Sequence, residues 1–90
     1  MTKVVVRHKV GDFATWLKGH QERVDIFSKV ASGFETFQDT DDPNSIVLLL
    51  HVTDLDGLMA LKDDPEVMGK LAHEKHTVIL PIIISMPVAI

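Results

Sequence analysis

No cysteine and no tyrosine occur in this 90-residue chain, and tryptophan occurs once. Without thiols there is no disulfide, no cysteine nucleophile and no thiolate metal site. Aromatic residues make up 6% of the chain, too few for a platform on which nucleic-acid bases could stack. Positive charge is scarce too. Nine Lys and Arg against thirteen Asp and Glu leave a net charge of −4, so there is no broad basic surface to attract phosphates, and nucleic acid is not an expected partner. Long apolar runs are missing as well: Ile46 to Leu50 and Val78 to Ser85 fall far short of the ~20 residues that span a bilayer, and no membrane partner is expected. Met1 to Val10 carries charges where a secretory signal would hold its apolar region, so the expected location is cytoplasmic.

What the chain does hold is apolar mass, 46% of residues with a positive mean hydropathy. A chain this short forms one domain, here residues 1–90, and buries only roughly 60% of its unfolded surface. Spare apolar area in such a domain usually goes into an oligomer contact.

Lys3 to Val10 reads as a strand, rich in β-branched residues and ended by Gly11. Val4, Val6, His8 and Val10 share one face, with Val5, Arg7 and Lys9 on the other. Asp12 caps a long helix expected to run to Ser32, with Gly33 as its left-handed terminator. Phe34 to Thr40 forms a second strand. Asp41-Asp42-Pro43-Asn44 turns the chain, the Asx side chains capping local amides, and Ser45 to Val52 returns as a third strand. Thr53 or Asp54 caps a second helix carrying Leu55, Leu58 and Met59 inward, restarted at Asp64-Pro65 with Val67, Met68, Leu71 and Ala72 continuing its apolar side. A final strand runs from Thr77 or Val78 to Val88, with Pro81 and Pro87 belonging at an edge or at bends.

The order β-α-β-β-α-β, joined by right-handed crossovers, specifies an α+β fold: a four-stranded antiparallel sheet ordered 4-1-3-2 with both helices on one face. The third and fourth strands are apolar on both faces, Val47 and Leu49 opposing Ile46, Leu48 and Leu50, and Ile79 and Ile83 opposing Leu80, Ile82 and Ile84. Helices cover one face only. The simplest cover for the other is a homodimer in which two sheets pack against each other.

Histidine is the residue type most able to carry chemistry here. His20 falls within the apolar stripe of the first helix, formed by Phe13, Trp16, Leu17, Val24, Phe27 and Ala31, and His8 lies on the more apolar strand face. The topology lets His8 and His20 face one another between helix and sheet. They are the candidate catalytic pair, one as base and the other polarising a carbonyl or phenolic oxygen, in a pocket expected to include Phe13, Trp16, Leu17, Met59 and His76. The alternative is that both are structural and that the chain is a non-catalytic dimerisation or ligand-sensing module. His73 and His76, three apart beside Glu74, read as a solvated helix end, and Asp39 to Asp42 as a hairpin turn, so no metal site is expected.

The stretches Val6-Arg7-His8-Lys9-Val10-Gly11-Asp12-Phe13-Ala14-Thr15-Trp16 and Phe37-Gln38-Asp39-Thr40-Asp41-Asp42-Pro43-Asn44, set in this order of elements, resemble small uncharacterised bacterial members of the ferredoxin-like dimeric α/β-barrel superfamily. That superfamily includes cofactor-independent antibiotic-biosynthesis monooxygenases, heme-degrading monooxygenases, polyketide cyclases and isomerases. The resemblance implies a dimer, a small apolar or aromatic ligand between helices and sheet, and acid/base chemistry without a cofactor. The first-strand asparagine and second-helix tryptophan of the heme-degrading and quinone-forming enzymes have no counterpart: no asparagine precedes Asn44, and Trp16 lies on the first helix. His8 matches the first-strand histidine of the cyclases loosely.

Overall fold

A computed structural model describes residues 2–90. The elements follow as β1 (Thr2–Val10), α1 (Phe13–Lys18), α2 (His20–Phe27), β2 (Ala31–Gln38), β3 (Ser45–Val52), α3 (Leu55–Asp63), α4 (Glu66–Lys75) and β4 (Val78–Ser85). The sheet is antiparallel in the order β2-β3-β1-β4, the same as 4-1-3-2 read from the other edge, with the helices on one face. This is the expected ferredoxin-like α+β architecture.

Alternation along the strands decides what faces the helices. Val4, Val6 and Val10 of β1 are buried beside Ile46, Leu48, Leu50 and Val52 of β3, in a register that pairs Val4 with Leu50, Val6 with Leu48 and His8 with Ile46. Trp16, Val30 and Leu58 close this core from the helical side. Each fully buried Leu or Ile stabilises the fold by roughly 1.5–3 kcal/mol. A one-residue register slip would turn the entire β1 row outward.

Local chemistry fixes the element ends. Asp12, in an extended conformation, caps α1: its Oδ1 accepts from the N–H groups of Ala14 (3.1 Å) and Thr15 (3.4 Å). Asp54 Oδ1 caps α3 through the Gly57 N–H at 2.9 Å. In the β2–β3 hairpin Asp39 Oδ1 accepts from Asp41 and Asp42, and Asp42 Oδ1 from Asn44, as expected of an Asx-rich turn. Lys9 ties the hairpin to β1 through an ion pair with Asp42 at 3.0 Å. Pro81 sits on edge strand β4, beside a register shift in the β1–β4 ladder between Arg7 and Lys9.

The first helix departs from expectation. It is broken at Gly19 into two short helices and ends at Phe27, not Ser32. Glycine is a poor helix former, and the Ser28 hydroxyl donates to the Asp25 carbonyl, competing with the backbone ladder. Val30 and Ala31 are drawn into the core, Ala31 pairing with Val52, so β2 begins three residues early and Gly33 lies within it rather than terminating a helix. The last strand also stops at Ser85, before Pro87. α4 is wound as a π-helix, with the His76 N–H bonded to the Leu71 carbonyl five residues back.

On the uncovered face of the sheet, Val5, Val47 and Leu49 are half-buried while Phe37, Ile79 and Ile83 are about half exposed. No helix among the described residues is long and apolar enough to cross a membrane.

Candidate functional site

Between the helices and the sheet lies a cleft of about 80 Å³, open to solvent. Val6, Leu48, Leu58, Leu71 and Ile84 are among its apolar walls. Its polar members are His8 from β1, Arg23 from α2, Lys62 from the end of α3 and His76 from the α4–β4 junction; Trp16 also lines it.

The sequence places these groups by short-range rules. His8 falls on the core face of β1 because it alternates with Val6 and Val10, and it is 8% exposed. Its Nδ1 lies 3.3 Å from the Lys9 carbonyl. A carbonyl can only accept, so the proton is on Nδ1 and Nε2 is the basic nitrogen. Its ring meets the Trp16 indole edge-on, centroids 5.8 Å apart. Arg23 follows Trp16 by seven residues and lies across it, the guanidinium carbon 3.8 Å from the ring centroid.

Arg23 is only 7% exposed, and its Nη1 donates to His76 Nδ1 at 3.3 Å. That bond requires a lone pair on Nδ1, which puts the His76 proton on Nε2, 3.7 Å from Glu22 Oε1. Glu22 is anchored in turn by Lys75 at 2.7 Å, on the exposed rim. Four N–H donors on these cleft-lining residues, Trp16 Nε1, Arg23 Nε and Nη2 and His76 Nε2, are buried with no hydrogen-bond partner among the described residues. Leaving one such group unpaired costs roughly 1–3 kcal/mol, more when it is charged.

Burial sets the electrostatics. Desolvation lowers the His8 pKa below the ordinary 6.5, the Lys9 carbonyl opposing and Arg23 reinforcing the shift. Desolvation, then Arg23, lowers His76 as well, against the pull of Glu22. Arg23 itself is brought down to about 10 by burial, with Glu22 opposing. At neutral pH the cleft therefore holds two neutral imidazoles and a guanidinium, and no Asp or Glu is among the described residues that line it.

The expected site residues separate. Of the proposed catalytic pair, His8 lines the cleft and His20 does not: His20 is exposed, its ring 5.7 Å from that of Phe34 in a shallow groove with Val24 and Phe27. Of the expected pocket residues, Trp16 and His76 line the cleft. Phe13 packs on Trp16 from outside it, Met59 is half-buried elsewhere, and Leu17 is half exposed. Arg23, seven residues after Trp16, follows it inward, and His20 does not. Arg23 was not a sequence candidate, although its heptad spacing from Trp16 was the available signal. His76, read with His73 as part of a solvated helix end, is 3% exposed, whereas His73 Nδ1 donates to the Val78 carbonyl at 2.8 Å. No cluster of three His, Asp or Glu able to hold a metal occurs among the described residues.

No family model matches the sequence, and no curated protein matches it either. Solved structures do match in fold. An antibiotic biosynthesis monooxygenase superposes with a TM-score of 0.69 at 15% identity, over 100% of this chain and 99% of that one. SnoaB, a cofactor-independent oxygenase from Streptomyces nogalater, gives 0.67 at 16%, over 100% and 97%. A Bordetella bronchiseptica protein provisionally given the monooxygenase name gives 0.73 at 11%, over 100% and 99%. The chain thus has the ferredoxin-like fold of the antibiotic biosynthesis monooxygenase structures, and at these identities the likeness concerns the fold alone.

Proposed function

We propose that this protein is a homodimer that binds a small, largely apolar or aromatic molecule in the cleft between helices and sheet and performs cofactor-independent acid/base chemistry on it. The observation that carries the reading is the convergence of His8, Arg23 and His76 on an otherwise apolar cleft. In this reading His8 Nε2 takes a proton from a phenolic O–H or from a C–H beside a carbonyl. Arg23 stabilises the oxyanion that results. His76, held neutral by its burial and by Arg23, serves in this reading as the second imidazole in place of His20. The fold neighbours include a cofactor-independent oxygenase, a class of reaction that can start from such a deprotonated substrate.

The chemical half is tested by deuterium exchange. Aromatic ketones and phenols with an acidic C–H are incubated in D₂O and followed by NMR. The reading expects exchange accelerated by the protein and reduced about 10²–10⁴-fold by His8→Ala. Saturable binding without exchange would assign the cleft to ligand sensing instead. The dimer is supported by the apolar open face of the sheet, where Phe37, Ile79 and Ile83 are each about half exposed.

A further inference from the structure

The free donors of the cleft are not scattered. Arg23 is more than nine-tenths buried, and one arm of its guanidinium, Nη1, is committed to His76. The two groups left over, Nε–H and Nη2–H, are neighbours on the same edge of the guanidinium plane. Two parallel N–H groups on that edge match the two oxygens of a carboxylate, the geometry that distinguishes arginine from lysine as a receptor. Trp16 Nε1, a further unpartnered donor, belongs to the indole on which the guanidinium rests, and the fourth, His76 Nε2, faces Glu22 at 3.7 Å. Among the described residues the lining carries Arg23 and Lys62 as its charges and no carboxylate, in a chain whose net charge is −4. Glu22, the acidic group facing this cluster, is engaged by Lys75 on the rim.

We infer that the ligand of this cleft is an aromatic carboxylic acid whose carboxylate seats on the Nε and Nη2 edge of Arg23, with Trp16 Nε1 as an additional donor and its ring system against the apolar walls. This rests on the reading of the cleft as a ligand site and adds the charge and the anchoring group. Lowered pKa values at His8 and His76 agree with it, since neutral imidazoles leave Arg23 as the buried cation of the cleft, with Lys62 at its exposed end.

The experiment is a titration of ¹⁵N-labelled protein with 2-naphthoate and, separately, with its uncharged counterparts 2-naphthamide and 2-methylnaphthalene, in wild type and in Arg23→Gln. Trp16 is the only tryptophan and Arg7 the only other arginine, so both side-chain N–H signals can be assigned. The acid is expected to bind at least about tenfold more tightly than either uncharged compound. It should shift the Arg23 Nε–H and Trp16 Nε1–H resonances together, and Arg23→Gln should erase the preference. Equal affinity for acid and uncharged compounds overturns the inference while leaving the cleft a ligand site. Acid binding with the Arg23 Nε–H unmoved overturns it as well. If none of the three binds, this inference and the reading beneath it both fall. Should Arg23→Gln fail to fold, the wild-type affinities and the Arg23 resonance decide alone.

Discussion

A β-carbon at position 19 would stand 2.5 Å from Nε2 of His76, so the imidazole lies where a side chain at position 19 would begin. The glycine that interrupts the first helix is also the surface against which the α4–β4 junction packs. Gly19→Ala is expected to destabilise the protein by roughly 1–3 kcal/mol, through overpacking rather than backbone conformation, since φ at Gly19 is −83°. Chemical denaturation checks it. The double variant Gly19→Ala, His76→Ala should recover part of the loss, whereas strictly additive effects would show that the two residues are not coupled.

Acid should weaken the fold through its buried histidines. His8 and His76 have pKa values lowered from 6.5 in the folded state, so between those lowered values and 6.5 the unfolded chain binds more protons. Their contribution is complete above about pH 6.5 and is lost progressively as pH falls through that window. Asp12, Glu22 and Asp42, whose pKa values are lowered from 3.8, 4.5 and 3.8, lose their contributions only in stronger acid. Urea midpoints measured from pH 7 down to pH 5 should decline in the wild type and flatten in His8→Gln, His76→Gln. An equally steep decline in the double variant would locate the effect elsewhere.

Thr77 joins the start of β4 to the start of α1. It adopts φ of 61°, unusual for a β-branched residue, and its hydroxyl donates to the Asp12 carbonyl at 3.1 Å while accepting from the Asp12 N–H at 3.2 Å. Thr77→Val keeps the shape and removes both bonds. A loss of about 1 kcal/mol is expected in denaturant titrations, the bonds being exposed. No loss would mean that the Gly11 N–H to Thr77 carbonyl bond holds the junction unaided.

The dimer is read from the open face of the sheet. Sedimentation should give twice the 10.0 kDa chain mass at micromolar concentration. Ile83→Lys, on a face where Ile83 pairs with Arg7, should shift the protein to single chains without unfolding it. A single-chain mass for the wild type would remove the dimer from the account.

How far these features were legible varies with the physics behind them. Strand alternation exposed the faces of β1 and β3, and with them the position of His8, because period-two patterning survives any loop geometry. The Asp-rich turn was legible from Asx chemistry at Asp39 and Asp42. The interruption at Gly19 was not, because the apolar spacing from Phe13 to Phe27 fits an unbroken helix, and the packing of His76 against Gly19 adds a tertiary contact to glycine's weak local preference. The expectation that His20 and Leu17 enter the cleft rested on that unbroken helix, while Arg23 was missed because it is a charged residue whose burial depends on Trp16 beneath it. His76 is buried by α2, far from it in sequence, which local reading of a helix end does not register.

The most direct test of the central claim is methyl NMR of the protein titrated with 2-naphthoate. The account predicts shifts confined to the cleft methyls of Val6, Leu48, Leu58 and Ile84. Shifts confined instead to Val47, Leu49, Ile79 and Ile83, on the open face of the sheet, would contradict it, as would the absence of any shift.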